Sequence, residues 1–472
     1  MTYRLLIDGR LVDGAASLDV VDPATATVFA TAQRADRAQL DAAVEAATRA
    51  FPAWSALSRE QRAGYLETLA DAVEARFEEF ALLLTSEQGK PLAEARFEVG
   101  GAVAALRYFA QVDLPPETLV DDAENLIVEH RAPLGVVGVI TPWNFPLILL
   151  VVKVAPALST GNTVVAKPAP TTPLTTLLLG EVAADILPAG VFNTIVDAND
   201  LGSALAAHSG VAKVSFTGST ETGRKVMGSA AGTLKRLTLE LGGNDAAILL
   251  DDVDVDEVAP RIFAAATINA GQVCMAAKRI YAPRALYDRL CDALGALARA
   301  AVVDDGRNQG AQIGPLQNRQ QYDKVLDLID DARGSGTIVA GGGRLDREGF
   351  FIAPTVVRDL PDDARLVREE QFGPVIPVLA YDALDDLVAR VNDSEFGLAG
   401  SIWTSDPTRA LDLAMRLDTG TVWINKHLDL RFDVPFGGAK QSGIGREQGI
   451  EGVREFTQAK VINMAKAAQV AA

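Results

Sequence analysis

The chain has 472 residues, too many for a single hydrophobic core, and so divides into two or three domains. A formal net charge of −18 repels nucleic acid and anionic membrane surfaces and excludes polyanion binding. Two cysteines supply neither a disulfide framework nor a zinc site, and no signal-like run opens the chain, so a reducing, cytoplasmic setting is expected.

Residues 1–9 read as a short strand and turn. Ser58-Arg-Glu-Gln61 is a capping box that opens a helix predicted over 59–84. A second helix is predicted from Pro91 to about Phe109, stopped by Leu114-Pro-Pro116. Residues 118–131 fit no helix–strand unit and read as a protruding hairpin. From Val136 onward short apolar strands alternate with helices. Strands are predicted at 136–140, 163–167, 192–196, 213–217 and 236–240, and helices at 147–158, 172–186, 201–207 and 220–231. A second alternating block runs over 279–425, with strands at 279–281, 375–381, 398–403 and 421–425. The alternation predicts an α/β fold with parallel, doubly wound sheets in two domains. The most membrane-like run, 145–158, contains Pro146, Lys153 and Pro156 and is too short to span a bilayer, so it reads as a buried helix. Only the last eight residues, rich in alanine, are of low complexity.

The chemistry centres on Cys274, in Asn269-Ala-Gly-Gln-Val-Cys274, which follows an apolar helix-like stretch. Gly271 is expected to loosen the backbone there and help present the thiol. Upstream, Glu240-Leu-Gly-Gly-Asn-Asp245 offers a carboxylate base; thiol and base together support covalent attack on a carbonyl followed by hydrolysis. Asn144, in Pro142-Trp-Asn-Phe-Pro146, is either a rigid amide donor for an oxyanion or a cap for the next helix. Gly218-Ser-Thr-Glu-Thr-Gly223 stands between a predicted strand and helix, where a sheet binds phosphate, although Thr220 replaces the middle glycine of the usual fingerprint. Gly334-Ser-Gly336 and Gly443-Ile-Gly445 lack that setting. Lys167 at a strand end is either a ribose or phosphate donor or simply solvated. Glu370 likewise either holds a sugar or faces water. Cys291 lies on an amphipathic helix and reads as core filler. Among three histidines none has a metal-ligand spacing, and His130 and His427 read as surface or packing residues.

These segments, taken in order, resemble the aldehyde dehydrogenase superfamily along essentially the whole chain. The likeness is carried by Pro142-Trp-Asn-Phe-Pro146, Phe216-Thr-Gly-Ser-Thr220, Glu240-Leu-Gly-Gly-Asn244, Gly271-Gln-Val-Cys274, Glu370-Gln-Phe-Gly-Pro374, Pro435-Phe-Gly-Gly438 and Lys440-Gln-Ser-Gly-Ile-Gly-Arg-Glu447. It implies a Rossmann-type cofactor domain over 1–111 and 132–241, an α/β catalytic domain over 242–442, and a small β oligomerisation hairpin with a C-terminal strand, in 112–131 and 443–472. A homodimer or homotetramer is implied. So are roles: Cys274 as nucleophile, Asn144 with the Cys274 N–H as oxyanion donors, and Glu240 as hydrolytic base. Trp143, Lys167, Gly218, Ser219, Glu370 and Phe372 would hold the cofactor. That cofactor is expected to be NAD, with NADP not excluded, because Pro170 stands where many NAD-preferring members carry a ribose-binding glutamate. Glu240 also favours release of a free acid over transfer to coenzyme A. A cofactor-free thiol hydrolase, the alternative from another class, would leave the Gly218 loop, Lys167 and Glu370 idle. Phe145, Leu149, Val152, Val273, Met275, Leu430 and Phe436 are expected to line the substrate tunnel, and all are apolar, which points to an aliphatic or aromatic aldehyde. The alternative is a semialdehyde, gripped if Lys426, His427 and Arg431 point inward; a surface location is expected for them.

Overall fold

A computed structural model describes residues 3–466. The expected alternation produces two open sheets. The first has eight strands in the order Arg10–Val12, Leu5–Ile7, Phe192–Thr194, Thr163–Lys167, Val136–Ile140, Lys213–Thr217, Arg236–Glu240 and Gly443–Ile444. Its five central strands run parallel. Thr163–Lys167, Val136–Ile140 and Lys213–Thr217 are buried at every residue, as a parallel sheet covered on both faces requires. From Val136–Ile140 the chain steps outward to Thr163–Lys167 and Phe192–Thr194, then returns to the other side for Lys213–Thr217. That reversal opens a crevice at the carboxyl ends of Val136–Ile140 and Lys213–Thr217. Trp143 and Asn144 leave one of these ends, Gly218 and Ser219 the other.

The second sheet has seven strands in the order Thr337–Ala340, Thr355–Arg358, Val375–Tyr381, Arg279–Pro283, Ala246–Leu249, Ala399–Trp403 and Thr421–Ile424. Thr337–Ala340, Ala246–Leu249 and Thr355–Arg358 are additions to the expected set. Each has four residues, too short and too uniformly apolar to announce itself by period. One apolar core surrounds the first sheet and two flank the second.

Two expected elements need correction. The single helix at 59–84 is two, Arg59–Ala75 and Phe77–Gln88, broken at Arg76 (φ −108°, ψ 22°), whose guanidinium pairs with Glu79 and Glu181. Its predicted capping box is present, with Ser58 Oγ accepting from the Gln61 N–H and Gln61 Oε1 from the Ser58 N–H. Gly443–Ile444, assigned above to an oligomerisation segment, pairs antiparallel with Leu239 and Glu240 at the edge of the first sheet. Ser442 pins this return: its carbonyl accepts from the Leu241 N–H (3.0 Å) and its hydroxyl donates to the Gly242 carbonyl (2.7 Å).

The unassigned hairpin consists of Glu117–Asp121 and Asn125–Pro133, and Thr457–Ala465 adds a third, antiparallel strand. Residues 467–472 of the alanine-rich end lie outside the described residues. The apolar run with Lys153 and Pro156 forms the buried helix Ile148–Ser159. Among the described residues no helix is long and apolar enough to cross a membrane.

Candidate active site

The helix Val255–Thr267 ends in a turn whose residues Asn269, Ala270 and Gly271 all have left-handed φ (51°, 54°, 73°). For the two non-glycine residues this costs on the order of 1–2 kcal/mol each. Side chains from elsewhere hold the turn in place. The Asn269 N–H donates to Glu94 (2.9 Å), and Asn269 Nδ2 donates to the Asn144 carbonyl (2.9 Å). Gln272 Oε1 accepts from the Gln317 N–H (2.8 Å). Gly271 does not loosen this backbone. A Cβ there would lie 2.3 Å from the Gly373 carbonyl oxygen, so glycine allows a close approach that stiffens the turn. What emerges is a rigid presentation of the half-buried Cys274.

Burial pushes the Cys274 thiol up to about 12; the Lys278 ammonium opposes the rise, and the Glu370, Glu240 and Asp245 carboxyls add to it. Glu240 ends its strand buried, with Oε1 unpartnered. Its own acidity is pushed well above the ordinary carboxylate range, first by burial and then by Glu447, with Lys153 and Arg446 opposing. Asn144 is clamped against the same turn. Its Nδ2 donates to the Gln272 carbonyl (2.9 Å) and its carbonyl accepts from Lys90 Nζ (2.9 Å). The capping alternative for Asn144 falls, because the N–H groups of Leu147 and Ile148 are taken by Glu98 Oε1 (2.9 and 3.2 Å).

On the crevice side, the Trp143 and Phe372 rings meet edge to face at 5.4 Å. Glu370 Oε1 accepts from the Gly243 N–H (3.0 Å) and from Lys278 Nζ (2.9 Å). Its other oxygen lies where a Cβ on Gly242 would be, at 2.4 Å, so a side chain at 242 would displace the carboxylate. Lys167 is not solvated: Nζ sits buried, 2.7 Å from Asp197 Oδ1. Ser219 caps the helix Thr220–Ala230 by accepting from the Thr222 N–H (3.3 Å). The residues present fit a nicotinamide dinucleotide. Beyond the strand ends of the crevice, the buried hydroxyls of Thr141, Thr171, Thr172 and Thr217 have no protein partner, which is the donor and acceptor set a ribose and pyrophosphate require.

Of the expected tunnel residues, Val152, Val273 and Phe436 are buried, and Phe145, Leu149 and Met275 are half-buried. Leu430 is 37% exposed. Lys426 pairs with Asp429, and Arg431 pairs with Asp433 at 2.7 Å, all four at or near the surface. His427 departs from the surface expectation. It turns inward, with Nε2 2.8 Å from the Met275 carbonyl and Nδ1 2.9 Å from Ser401 Oγ.

Sequence reading passes over three buried lysines that the structure brings to this site. Lys153 pairs with Glu447 at 2.6 Å across 294 residues of sequence, beside Glu240. Lys90 pairs with Glu98 at 2.6 Å beneath Asn144, and Lys278 bridges Cys274 and Glu370. A signal existed for Lys153, since a lysine inside an apolar helix must find a buried partner. Cys291 lies, as expected, in the apolar face of the helix Arg284–Ala300.

A thiol, a carboxyl with a free oxygen and an anchored carboxamide, beside a dinucleotide crevice, meet the needs of covalent carbonyl oxidation. The aldehyde dehydrogenase family model matches residues 11–462. An aldehyde dehydrogenase of Fusarium sp is 42% identical over 468 residues, covering 98% of this chain and 99% of that protein. The crystal structure of a putative aldehyde dehydrogenase from Burkholderia cenocepacia superposes with a TM-score of 0.97 at 38% identity, covering 100% of this chain and 99% of that one. The NAD+ complex of an aldehyde dehydrogenase from Bacillus cereus does so at 0.96 and 36%, covering 98% and 97%. The chain belongs to the aldehyde dehydrogenase family, and its activity is NAD(P)-dependent oxidation of an aldehyde.

Proposed function

We propose that Cys274 attacks the aldehyde carbon and that Glu240 activates the water that later releases a free carboxylic acid. The observation that carries this reading is the buried Glu240 carboxyl, which keeps one oxygen unpartnered and whose charge adds to the upward shift of the Cys274 thiol. Cys274 gives its proton to solvent and its sulfur bonds the carbonyl carbon, whose π electrons pass to the oxygen. The new oxyanion is held by Asn144 Nδ2 and the Cys274 N–H. NAD, when bound, would accept the hydride that this carbon gives up as its oxyanion closes back to a carbonyl, which leaves a thioester on Cys274. Glu240 then takes a proton from water as it adds to the thioester, the carbon–sulfur bond breaks, and Cys274 leaves as thiolate.

In this reading Trp143, Lys167, Gly218, Ser219, Glu370 and Phe372 hold the dinucleotide. Lys167 shares its ammonium between Asp197 and a ribose. NAD is favoured by the likeness to an NAD+ complex, while Pro170 places no carboxylate against a 2′-phosphate. The substrate is an apolar aliphatic or aromatic aldehyde: the tunnel residues are apolar, and Lys426 and Arg431, which would have gripped a semialdehyde, are neutralised by Asp429 and Asp433. Residues 1–111 and 132–241 serve as the cofactor domain and 242–442 as the catalytic domain. The hairpin with Thr457–Ala465 makes the contact of a homodimer or homotetramer, supported by the exposed Leu119, Val461, Ile462 and Met464. Two unpaired thiols suit a reducing, cytoplasmic setting. Steady-state kinetics with hexanal, benzaldehyde and succinic semialdehyde, each with NAD and NADP, test the substrate reading. Higher kcat/KM for the two apolar aldehydes is expected, and a preference for the semialdehyde would overturn it.

A further inference from the structure

We propose that His427 is a positioning residue: an imidazole of fixed tautomer that clamps the Met275 carbonyl and so holds the turn carrying Cys274 in its reactive geometry. The proposal rests on the reading of Cys274 as the nucleophile.

The carbonyl at one end of the ring fixes its proton, and the hydroxyl at the other end matches it. Trp403 Nε1–H can only donate, so Ser401 Oγ accepts from it (3.0 Å) and keeps its own proton available for His427 Nδ1 (2.9 Å). The Met275 carbonyl can only accept, so His427 Nε2 carries the hydrogen (2.8 Å). The Met275 carbonyl thus sets the tautomer, and the Ser401 hydroxyl, still free to donate, accommodates it. Burial lowers the imidazole to about 4, outweighing the bond to Met275, which keeps the ring neutral and the relay intact near neutral pH.

His427 completes a set. Each of the four carbonyls from Gln272 to Met275 has its own donor. Gln272 is held by Asn144 Nδ2, Val273 by the Ala276 N–H, Cys274 by Lys278 Nζ and Met275 by His427. The oxyanion-binding N–H of Cys274 lies within this stretch, and the Met275 side chain borders the expected tunnel. His427 alone among these donors comes from the end of the second sheet, beyond Thr421–Ile424. The backbone there is strained to deliver it, since Asn425 and Leu428 on either side have φ of 55° and 63°. Asn425 is locked to Thr404 through both side-chain atoms (2.9 and 2.8 Å). Trp423 packs on the imidazole at 5.0 Å. Rigid support on this scale matters because small displacements of reacting groups have large kinetic effects.

The test compares His427→Leu, which removes the donor, with His427→Gln, whose amide reaches the same carbonyl. Rapid-mixing measurement of the NADH burst separates its rate constant from its amplitude. Iodoacetamide alkylation of Cys274, with neither cofactor nor aldehyde present, gives a second readout. His427→Leu should slow the burst about tenfold or more per active site and change the alkylation rate, and His427→Gln should restore both to within about threefold. An unchanged burst rate constant in His427→Leu, or a His427→Gln variant as slow as it, overturns the clamp. Should His427→Leu fail to fold, Ser401→Ala removes the partner of Nδ1 that steadies the ring and should slow the burst several-fold; an unchanged burst there overturns the clamp. A burst that survives Cys274→Ala instead overturns the nucleophile, which keeps the two failures apart.

Discussion

Cys274 and Cys291 are both pushed up to about 12, and burial is the first cause in each. Cys291 packs in an apolar helix face beside Leu290 and Leu294. Cys274 follows a left-handed turn, with the four carbonyls from Gln272 to Met275 held by donors and the Glu240 charge adding to its shift. Acidity in the resting protein does not separate the two thiols. Their surroundings do: one has packing partners, the other has a carboxyl proposed as base, a candidate oxyanion site and the crevice at the strand ends. In the proposed reading the nucleophile is made by what surrounds it, and its thiolate is stabilised by the reaction's own partners.

Cys274→Ala tests that contrast at its largest. Aldehyde oxidation should fall by at least about 10⁴-fold. Cys291→Ala should leave kcat within about twofold and lower stability by about 1–2 kcal/mol in denaturant unfolding. An active first variant or an inactive second would break the comparison. Glu240→Gln should keep the NADH burst but slow steady-state turnover about 10²–10³-fold, as loss of a general base does. An unchanged steady-state rate would assign the base elsewhere.

Lys153→Met sharpens the polar side of the same comparison. It leaves Glu447 buried without its ion partner, so unfolding free energy should drop by about 3–5 kcal/mol. The double variant Lys153→Met/Glu447→Leu should recover most of this; equal losses in both would show that the buried charge was not the cause. The smallest effect concerns pH. The folded-state acidity of Glu240 is raised. Its contribution to stability is therefore fully present below the unfolded value of about 4.5 and is lost as pH rises through the folded one. Glu240→Gln should consequently gain in thermal midpoint relative to the parent as pH rises from about 5 to 8. A constant difference across that range would contradict a raised Glu240.

Much of the fold was legible because five parallel, mostly buried strands and their helices carry simple periods, and the strands at 136–140, 163–167, 213–217 and 236–240 stand where the sequence places them. Asn144, Glu240 and Cys274 were legible as short motifs, and the structure places Asn144 on the Cys274 turn. What escaped was long-range. Lys153 broke an apolar run, yet its partner lies 294 residues away. His427 sits among charged neighbours in sequence, which disguises a ring turned inward by two left-handed residues. Gly271 looked like slack because only the fold reveals the Gly373 carbonyl against it.

The most direct test is to trap the intermediate. Glu240→Gln is mixed with hexanal and NAD, quenched in acid within one turnover and mapped by peptide mass spectrometry. One acyl group per active site on the peptide containing Cys274, with Cys291 unmodified, is the predicted result. A full NADH burst with no acyl group on Cys274, or with the label on Cys291, would contradict the account.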